Sequence, residues 1–456
     1  MHIKIAGKYK LSPVQVLALG FAVVILIGAI LLSLPISSNS GQSTDFIDSL
    51  FTSTSAVCVT GLVTLDTATH WNYFGRTVLI VLIQIGGLGF MSFTTLFAMM
   101  VGKRITLKER LLLQEALNTF GIQGMVKLMK YIFGFTFAVE GLGALLLSTQ
   151  FIPQFGFGKG LYYSVWTAIS AFCNAGFDLM GTVSGKYSSL TSYANNPVII
   201  YTISALIIIG GLGFVIWSEF YNYKERKKLS LHAKVVLIIT AILLFGGAIL
   251  MFIFEFSNPR TLGSMSIGEK INNAFFASVT TRTAGFNTIS TTDMTMAGKF
   301  LTILLMFIGG SPGSTAGGLK TATLGILVVT LVSIIRGRDD VEIFKKRISK
   351  ETVYKAFAIF FLSLTLVITV ILLLAATQPE GTSFMYIVYE SVSAYATVGL
   401  DLGLSPHLNT AGKLIIAVTM YIGRVGPMTV LLALTSRMHK TKKIAIKYPE
   451  DKILIG

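Results

Sequence analysis

Four short runs rich in Ser, Thr and Ala each end in a glycine followed by an apolar residue, and they lie about one quarter of the chain apart. Glycine accepts positive φ at little cost, so the backbone before it can aim consecutive carbonyl oxygens at one point. Carbonyl oxygens placed in this way can replace the hydration shell of a cation. We therefore predict cation coordination by the backbone of four glycine triplets: Val59, Thr60, Gly61; Asn174, Ala175, Gly176; Thr283, Ala284, Gly285; and Thr397, Val398, Gly399.

A second glycine-rich stretch, residues 309–318, lies in the middle of an apolar segment. Glycine costs about 1 kcal/mol and proline about 3 kcal/mol relative to alanine inside a helix, so no helix continues through it. One interpretation is a flexible plug that must move for ions to pass, and the other is a fixed break in a span. We call it the glycine loop; its residues are Gly309, Gly310, Ser311, Pro312, Gly313, Ser314, Thr315, Ala316, Gly317 and Gly318.

Two arginines lie close to these motifs inside apolar segments, where a charge is expensive unless it meets water, an acid or carbonyls. Arg424 aligns with the glycine loop, and we expect it to line the pore as an electrostatic barrier and to bind loop carbonyls. The alternative is a structural pair with an acid such as Glu140. Arg282 precedes the third triplet, and we expect it behind that triplet, tied to an acid such as Glu390.

Two aspartates, Asp178 and Asp401, follow triplet glycines by two residues. Carboxylates at that position can enrich cations at an outer mouth, although solvated loop carboxylates are nearly as good an interpretation. The cysteines, Cys58 and Cys173, are expected to be small buried residues without a disulfide.

Composition places the chain among helical integral membrane proteins. Hydrophobic residues make up 53% of it and charged residues 13%, with a mean hydropathy of +0.73. Apolar runs reach twenty residues or more, which excludes the short alternating strands of a membrane barrel. We predict first spans at 14–34, 126–147, 234–254 and 353–376. The second spans are predicted at 76–100, 197–220, 300–336 with an interruption, and 413–434.

The net charge of +16 follows from basic clusters that alternate with the spans so as to fall on one membrane face. By the positive-inside rule, both termini and the connectors between repeats are predicted to be cytoplasmic, in contact with anionic lipid headgroups. Nucleic acid is not an expected partner.

Each triplet lies between two spans, so the chain is predicted to consist of four parallel copies of helix, pore loop and helix around a central pore. The predicted class is an all-α integral membrane protein with pseudo-fourfold symmetry and eight transmembrane helices. We place the repeats at residues 1–122, 123–229, 230–349 and 350–436, followed by a cytoplasmic tail at 437–456. The triplet segments, at 45–62, 162–177, 270–286 and 384–400, are expected to be half-helices followed by extended chain.

The chain resembles the Trk/Ktr/HKT superfamily of potassium translocating proteins, and most closely the Ktr membrane subunit. The resemblance rests on the first glycine-ending run, the glycine loop and the stretch around Arg424, and it covers essentially residues 11–436. It implies potassium uptake through the triplets, gating by the glycine loop and Arg424, a homodimer, and a cytosolic ring of RCK-type subunits that binds ATP or ADP. Sodium is a possible activator, and a bacterial plasma membrane is the implied location.

Two other functional classes fit the sequence less well. A sodium- or proton-coupled secondary cation transporter of the same superfamily remains the alternative function, although inverted repeats are excluded because every predicted repeat begins on the same side. An enzyme is not expected, because the spans contain no paired acids, histidine cluster or activated nucleophile. No phosphate-binding loop or dinucleotide fingerprint is present, so we expect this chain itself to bind no nucleotide.

Overall fold

The computed structural model describes residues 3–5, 9–89, 91–92, 95, 112–113 and 125–435. Within these residues, a long apolar helix, a shorter helix that ends at a glycine triplet, and a second apolar segment follow one another four times. We call these four successions sets one to four. The helical class predicted from the sequence is confirmed. The predicted tail 437–456 and most of 96–124 lie outside the described residues.

The first helix of each set is long enough to cross a bilayer. Three of these helices begin after a serine, Ser12, Ser230 or Ser349, whose hydroxyl accepts a hydrogen bond from the backbone N–H three residues on. Such caps satisfy N–H groups that have no partner inside the helix. The four helices are Pro13–Ser33, Met125–Phe155, Leu231–Glu255 and Lys350–Thr377.

The second helix of each set is shorter and ends at the triplet. At 1.5 Å per residue these helices of 12 to 16 residues span about 18–24 Å, less than the hydrocarbon core. Each carries one of the largest buried side chains of the protein: Phe51, Trp166, Phe276 and Tyr389. The four helices are Phe46–Val57, Phe157–Phe172, Ile267–Thr280 and Phe384–Ala396.

The last apolar segment is interrupted at a glycine in sets two, three and four. In sets two and four, helices meet at angles of 93° and 95° at Gly213 and Gly426, whose φ values are 94° and 95°. The segments predicted as spans at 197–220 and 413–434 are therefore sharply bent, because these glycines adopt a backbone conformation that no helix contains. The segments are Tyr73–Leu88; Pro197–Leu212 and Phe214–Tyr221; Met296–Phe307 and Thr321–Ile335; and Thr410–Val425 and Pro427–Thr435.

In set three the interruption covers the whole glycine loop, as predicted for 300–336. Counted by length and composition over the described part of the chain, four helices are each long and apolar enough to cross a membrane, and the number is six if each bent pair is one span. Three further apolar helices are too short to be counted as spans: Tyr73–Leu88, Met296–Phe307 and Thr321–Ile335. The number of eight transmembrane helices therefore stays a prediction.

The remaining elements are small. Two antiparallel hairpins pair Ile3–Ile5 with Tyr9–Leu11, and Glu342–Ile343 with Lys346–Arg347. Single turns of helix occur in the connections: Pro35–Ser37, Thr67–His70, Met180–Thr182, Thr191–Tyr193, Tyr223–Arg226 and Ser405–His407.

Glycines in the last segments let them touch the C-terminal ends of the triplet-bearing helices. A methyl group on Gly86, Gly210 or Gly423 would overlap a backbone carbonyl oxygen there; the three carbonyls belong to Val57, Phe172 and Tyr395. Small residues permit such backbone contact between membrane helices. The triplets are therefore held by backbone surfaces, which leave no room for a side chain.

We expect Gly210→Ala to destabilise the protein, since overpacking against fixed backbone costs about 1–3 kcal/mol. Gly246→Ala is the matched control, because nothing lies within 4 Å of a methyl group there and alanine favours the helix. Thermal unfolding in detergent should show a lower midpoint for the first variant and an equal or higher one for the second. Equal unfolding midpoints for the two variants would contradict the close backbone contact at Gly210.

Candidate functional site

The four glycine triplets contact one another in a closed ring. A methyl group on Gly61 would collide with the second triplet, and one on Gly176 with the third. In the same way Gly285 abuts the fourth triplet, and Gly399 abuts the first. The ring therefore follows chain order and brings together all twelve residues that the sequence singled out.

Each triplet has positive φ at its first and third residues. The glycine φ values lie between 70° and 89°, and Val59, Asn174, Thr283 and Thr397 have φ between 52° and 63°. Three of these four non-glycine residues are β-branched, for which positive φ is a genuine outlier. Such strain costs about 1–3 kcal/mol per residue and clusters at functional sites.

Serines tie the N–H groups of the first and fourth triplets back to the helix before them. The Ser55 carbonyl accepts from the Thr60 N–H at 2.8 Å, and its hydroxyl accepts from the Gly61 N–H at 3.0 Å. Ser393 repeats both contacts with Val398 and Gly399, at 2.9 and 3.1 Å. We did not single out these serines from the sequence, although serine stands six residues before the triplet glycine in three of the four runs.

Related contacts hold the other two triplets. The Ser170 hydroxyl donates to the Phe177 carbonyl at 2.6 Å, and the Thr280 hydroxyl donates to the Phe286 carbonyl at 2.5 Å. Between the two triplets, the Asn174 amide donates to the Arg282 carbonyl at 2.9 Å.

The triplet carbonyls lack hydrogen-bond donors. Across the described residues, no N–H or O–H group donates to any of the twelve carbonyl oxygens. None of the twelve residues is exposed. A buried carbonyl oxygen without a partner costs free energy, so the ring is suited to a cation that oxygen atoms can ligate.

A cavity of about 610 Å³ opens onto this ring, and all four triplet glycines line it. Asp178 and Asp401 line it as well, together with Asp66. The three carboxylates accept backbone N–H bonds, for example from Met180 to Asp178 at 2.8 Å and from Leu404 to Asp401 at 2.9 Å. We missed Asp66 because it stands five residues after Gly61 rather than two; its carboxylate accepts a hydrogen bond from the Tyr187 N–H at 3.0 Å.

Burial raises the pKa of Asp178 to about 6 and that of Asp401 also to about 6. Both remain largely ionised at neutral pH, so the cavity presents negative charge directly outside the ring. Such charge concentrates cations in a concave site.

The glycine loop is held by backbone hydrogen bonds at several points. Gly309 donates to the Leu319 carbonyl at 2.9 Å, and Thr321 donates to the Gly310 carbonyl at 3.0 Å, which closes its base. In its middle, Ser311 donates to the Gly211 carbonyl at 3.0 Å and Phe214 donates to the Gly313 carbonyl at 2.9 Å. The loop also touches the fourth triplet, since a methyl group on Gly317 would overlap the Thr397 hydroxyl.

Three cationic side chains donate to loop carbonyls: Arg424, Lys320 and Arg282. Arg424 binds the Thr315 carbonyl, as expected, and also the carbonyls of Gly86 and Gly87. Lys320, which we did not single out from the sequence, donates to the carbonyls of Ala316 at 2.6 Å and Gly317 at 3.3 Å. Its position two residues after the loop was the sequence feature that could have identified it.

Two expected ion pairs are absent among the described residues. Arg282 donates to the carbonyls of Ile308 and Gly309, and Glu390 instead accepts from the Ser405 hydroxyl, so our pairing of these two residues is wrong. Glu140 accepts from the Gln84 amide at 3.1 Å, so the alternative pairing with Arg424 is wrong too. In both cases backbone carbonyls, which a sequence does not distinguish, replace the acid.

No group of three or more His, Cys, Asp or Glu that could hold a metal ion occurs in the described ranges. Cys58 and Cys173 are buried free thiols, as expected.

The family model for the cation transport protein TrkH matches residues 12–444. The chain belongs to the TrkH family of cation transport proteins. Together with the apolar helices, this membership makes it a multi-pass membrane protein.

Similar proteins support the same assignment over nearly the whole chain. The potassium/sodium uptake protein NtpJ of Enterococcus hirae is 47% identical, and the match covers 98% of both chains. The Ktr system potassium uptake protein B of Bacillus subtilis is 42% identical over 99% of both. The crystal structure of the potassium transporter TrkH from Vibrio parahaemolyticus matches with a TM-score of 0.72 at 17% identity, covering 96% of this chain and 88% of that one, which shows a common fold.

We expect cation uptake at limiting concentration to fall severalfold as external pH drops through about 6, because protonation then removes the charge of Asp178 and Asp401. Tracer uptake into cells at matched protein abundance, between pH 7.5 and 5, measures this effect. Saturating cation should abolish the pH dependence.

The double variant Asp178→Asn, Asp401→Asn is the control, and it should take up cation slowly at every pH. A pH profile in that variant as steep as in the wild type would contradict the role of these two carboxylates.

Proposed function

We propose that this chain is the potassium-conducting membrane subunit of a Ktr-type uptake system. The observation that carries the proposal is the closed ring of glycine triplets, whose buried carbonyl oxygens meet no hydrogen-bond donor among the described residues. The names of the relatives from Enterococcus hirae and Bacillus subtilis, which specify potassium uptake, agree with it.

In this proposal the four sets are parallel repeats at 1–122, 123–229, 230–349 and 350–436, arranged with pseudo-fourfold symmetry around a pore that eight spans enclose. The recurring order of elements and the ring of triplets support the arrangement. The triplets form the selectivity filter. Because their sequences differ, the carbonyl rings are less regular than those of four identical subunits, and discrimination between cations is correspondingly weaker.

Potassium is the proposed cargo because glycine stands at the end of all four triplets, a feature that the family resemblance links with potassium selectivity. The name of the relative from Enterococcus hirae also includes sodium. Coupling of potassium uptake to sodium or protons is therefore the second candidate, and flux into liposomes with and without a sodium gradient separates it from passive conduction.

Gly176→Ala is expected to lower the preference for potassium over sodium about tenfold, because a methyl group there would displace the third triplet. Gly41→Ala is the matched control, since its φ of 69° equals that of Gly176 within a degree and nothing lies within 4 Å of a methyl group. Both variants carry the same backbone strain. Competition between the two cations for uptake into proteoliposomes measures the preference.

If substitution of each of the four triplet glycines left the preference for potassium over sodium unchanged, the filter assignment would be refuted. Equal loss in Gly41→Ala would show that backbone strain alone is responsible.

The glycine loop is the proposed gate. Arg424 is proposed to be the main contact that keeps the loop closed and also an electrostatic barrier to cations. The loop meets the fourth triplet through Gly317 and Thr397, so it lies against the filter. The loop is more firmly fixed than its glycine content suggests. Backbone hydrogen bonds hold its base and its middle, and three cationic side chains donate to its carbonyls. Opening therefore requires the loss of specific hydrogen bonds.

Arg424→Gln should raise basal potassium flux, because a charge-assisted hydrogen bond is worth about 1.5–3 kcal/mol and its loss shifts the ratio of open to closed loop by about 10 to 150-fold. Lys413→Gln is the control; it removes a charge from the same helix, where Lys413 binds Asp48 at 2.6 Å. Isotope flux is compared at matched incorporation. Equal flux in wild type and Arg424→Gln would leave the loop as a structural break.

The proposed assembly is a homodimer with a cytosolic ring of RCK-type subunits that binds ATP or ADP, in a bacterial plasma membrane with both termini cytoplasmic. The basic clusters on the predicted cytoplasmic face support it, since they offer charge to an acidic ring and to anionic lipid. Sodium is proposed as an activator of this system. The chain alone is expected to bind no nucleotide.

A further inference from the structure

Arg282 lies between the filter and the glycine loop. It directly precedes the third triplet, and its side chain is almost completely buried, with a residue exposure of 4%. Its Nη1 donates to the Ile308 carbonyl at 3.2 Å and to the Gly309 carbonyl at 2.9 Å. These two carbonyls stand where the helix Met296–Phe307 passes into the loop.

The backbone of the same residue is linked to a second triplet. The Arg282 carbonyl accepts the hydrogen bond from the side chain of Asn174, which opens the second triplet. Thr283, the next residue, has a φ of 63° and is one of the strained positions of the ring. One residue thus contacts two triplets through its backbone and the loop through its side chain.

The guanidinium depends on the loop for its charge compensation. Within the part of the chain that the structure describes, its Nε and Nη2 have no hydrogen-bond partner, and no carboxylate lies within ion-pair distance. A buried cation needs polar partners, and here two loop carbonyls provide them. Movement of the loop base would leave the charge without partners beside the filter.

We propose that Arg282 is a positioning residue that couples the glycine loop to the filter, so that the geometry of the second and third triplets depends on where the loop base lies. The inference rests on the proposed function and adds to it a specific link between gate and selectivity. Displacement of the loop base releases Nη1, the side chain takes another position, and the backbone at residues 282–283 moves with it.

Arg424 provides the contrast. Its hydrogen bonds join the loop to Gly86 and Gly87, and none of them reaches a triplet. Loss of Arg424 should therefore release the loop without disturbing the filter directly. Although Arg282 and Arg424 bind the same loop, we therefore expect different phenotypes when each is replaced.

The experiment measures potassium and sodium flux into proteoliposomes that contain the wild type, Arg282→Met, Arg282→Lys or Arg424→Gln. Arg282→Met should raise potassium flux and lower the potassium preference about tenfold, because both loop hydrogen bonds are lost beside the filter. Arg424→Gln should raise flux with an unchanged preference. Arg282→Lys, which keeps a donor cation, should restore most of the preference.

Size-exclusion profiles and thermal midpoints establish that each variant is folded. If Arg282→Met does not fold, Asn174→Gly tests the same link, since it removes the amide that binds the Arg282 carbonyl and tolerates the φ of 58°. It should also lower the potassium preference.

An unchanged preference in Arg282→Met, or in Asn174→Gly where that variant is used, would overturn the coupling. Equal loss of preference in Arg424→Gln and Arg282→Met would overturn it as well, because loop release alone would then explain both. A wild type without potassium-selective flux would instead contradict the proposed function, so the two failures are distinguishable.

Discussion

Buried backbone carbonyls without donors are the constraint on which the rest of the structure depends. In the first and fourth triplets all three N–H groups are bonded back to the preceding helix, with Ser55 and Ser393 among the acceptors, whereas no described group donates to the carbonyl oxygens of any triplet. Carbonyl oxygens in this arrangement need a partner other than a protein donor, and a cation that has lost its hydration shell is such a partner. The short helices deliver the triplets to one place, and the glycines Gly86, Gly210 and Gly423 let the last segments support them at backbone distance.

The same chemistry governs the glycine loop. Three protein cations, Arg282, Lys320 and Arg424, donate hydrogen bonds to its carbonyls, whereas the triplet carbonyls accept none from the described residues. A loop fixed by a few charge-assisted bonds has discrete alternatives, because each bond is either made or lost. This property suits a gate better than general flexibility would, since a small change in free energy then shifts the population.

The sequence predicted the features that arise from local physics. Span length and glycine at the triplets follow from the bilayer thickness and from positive φ, and residues 59–61 and their three counterparts do meet in a ring. The bends at Gly213 and Gly426 escaped prediction, because a glycine inside a span fits both close packing and a break. The partners of Arg282 and Glu140 also escaped it, because a backbone carbonyl or a glutamine amide leaves no signature of opposite charge.

The central claim is that the triplet carbonyls bind the transported cation, and anomalous diffraction from crystals of the protein grown with Tl⁺ in place of K⁺ tests it most directly. The account predicts anomalous density on the axis of the ring, within coordination distance of carbonyl oxygens from all four triplets, and weaker density in the Gly176→Ala variant. Density confined to carboxylates such as Asp178, with none inside the ring, would contradict it.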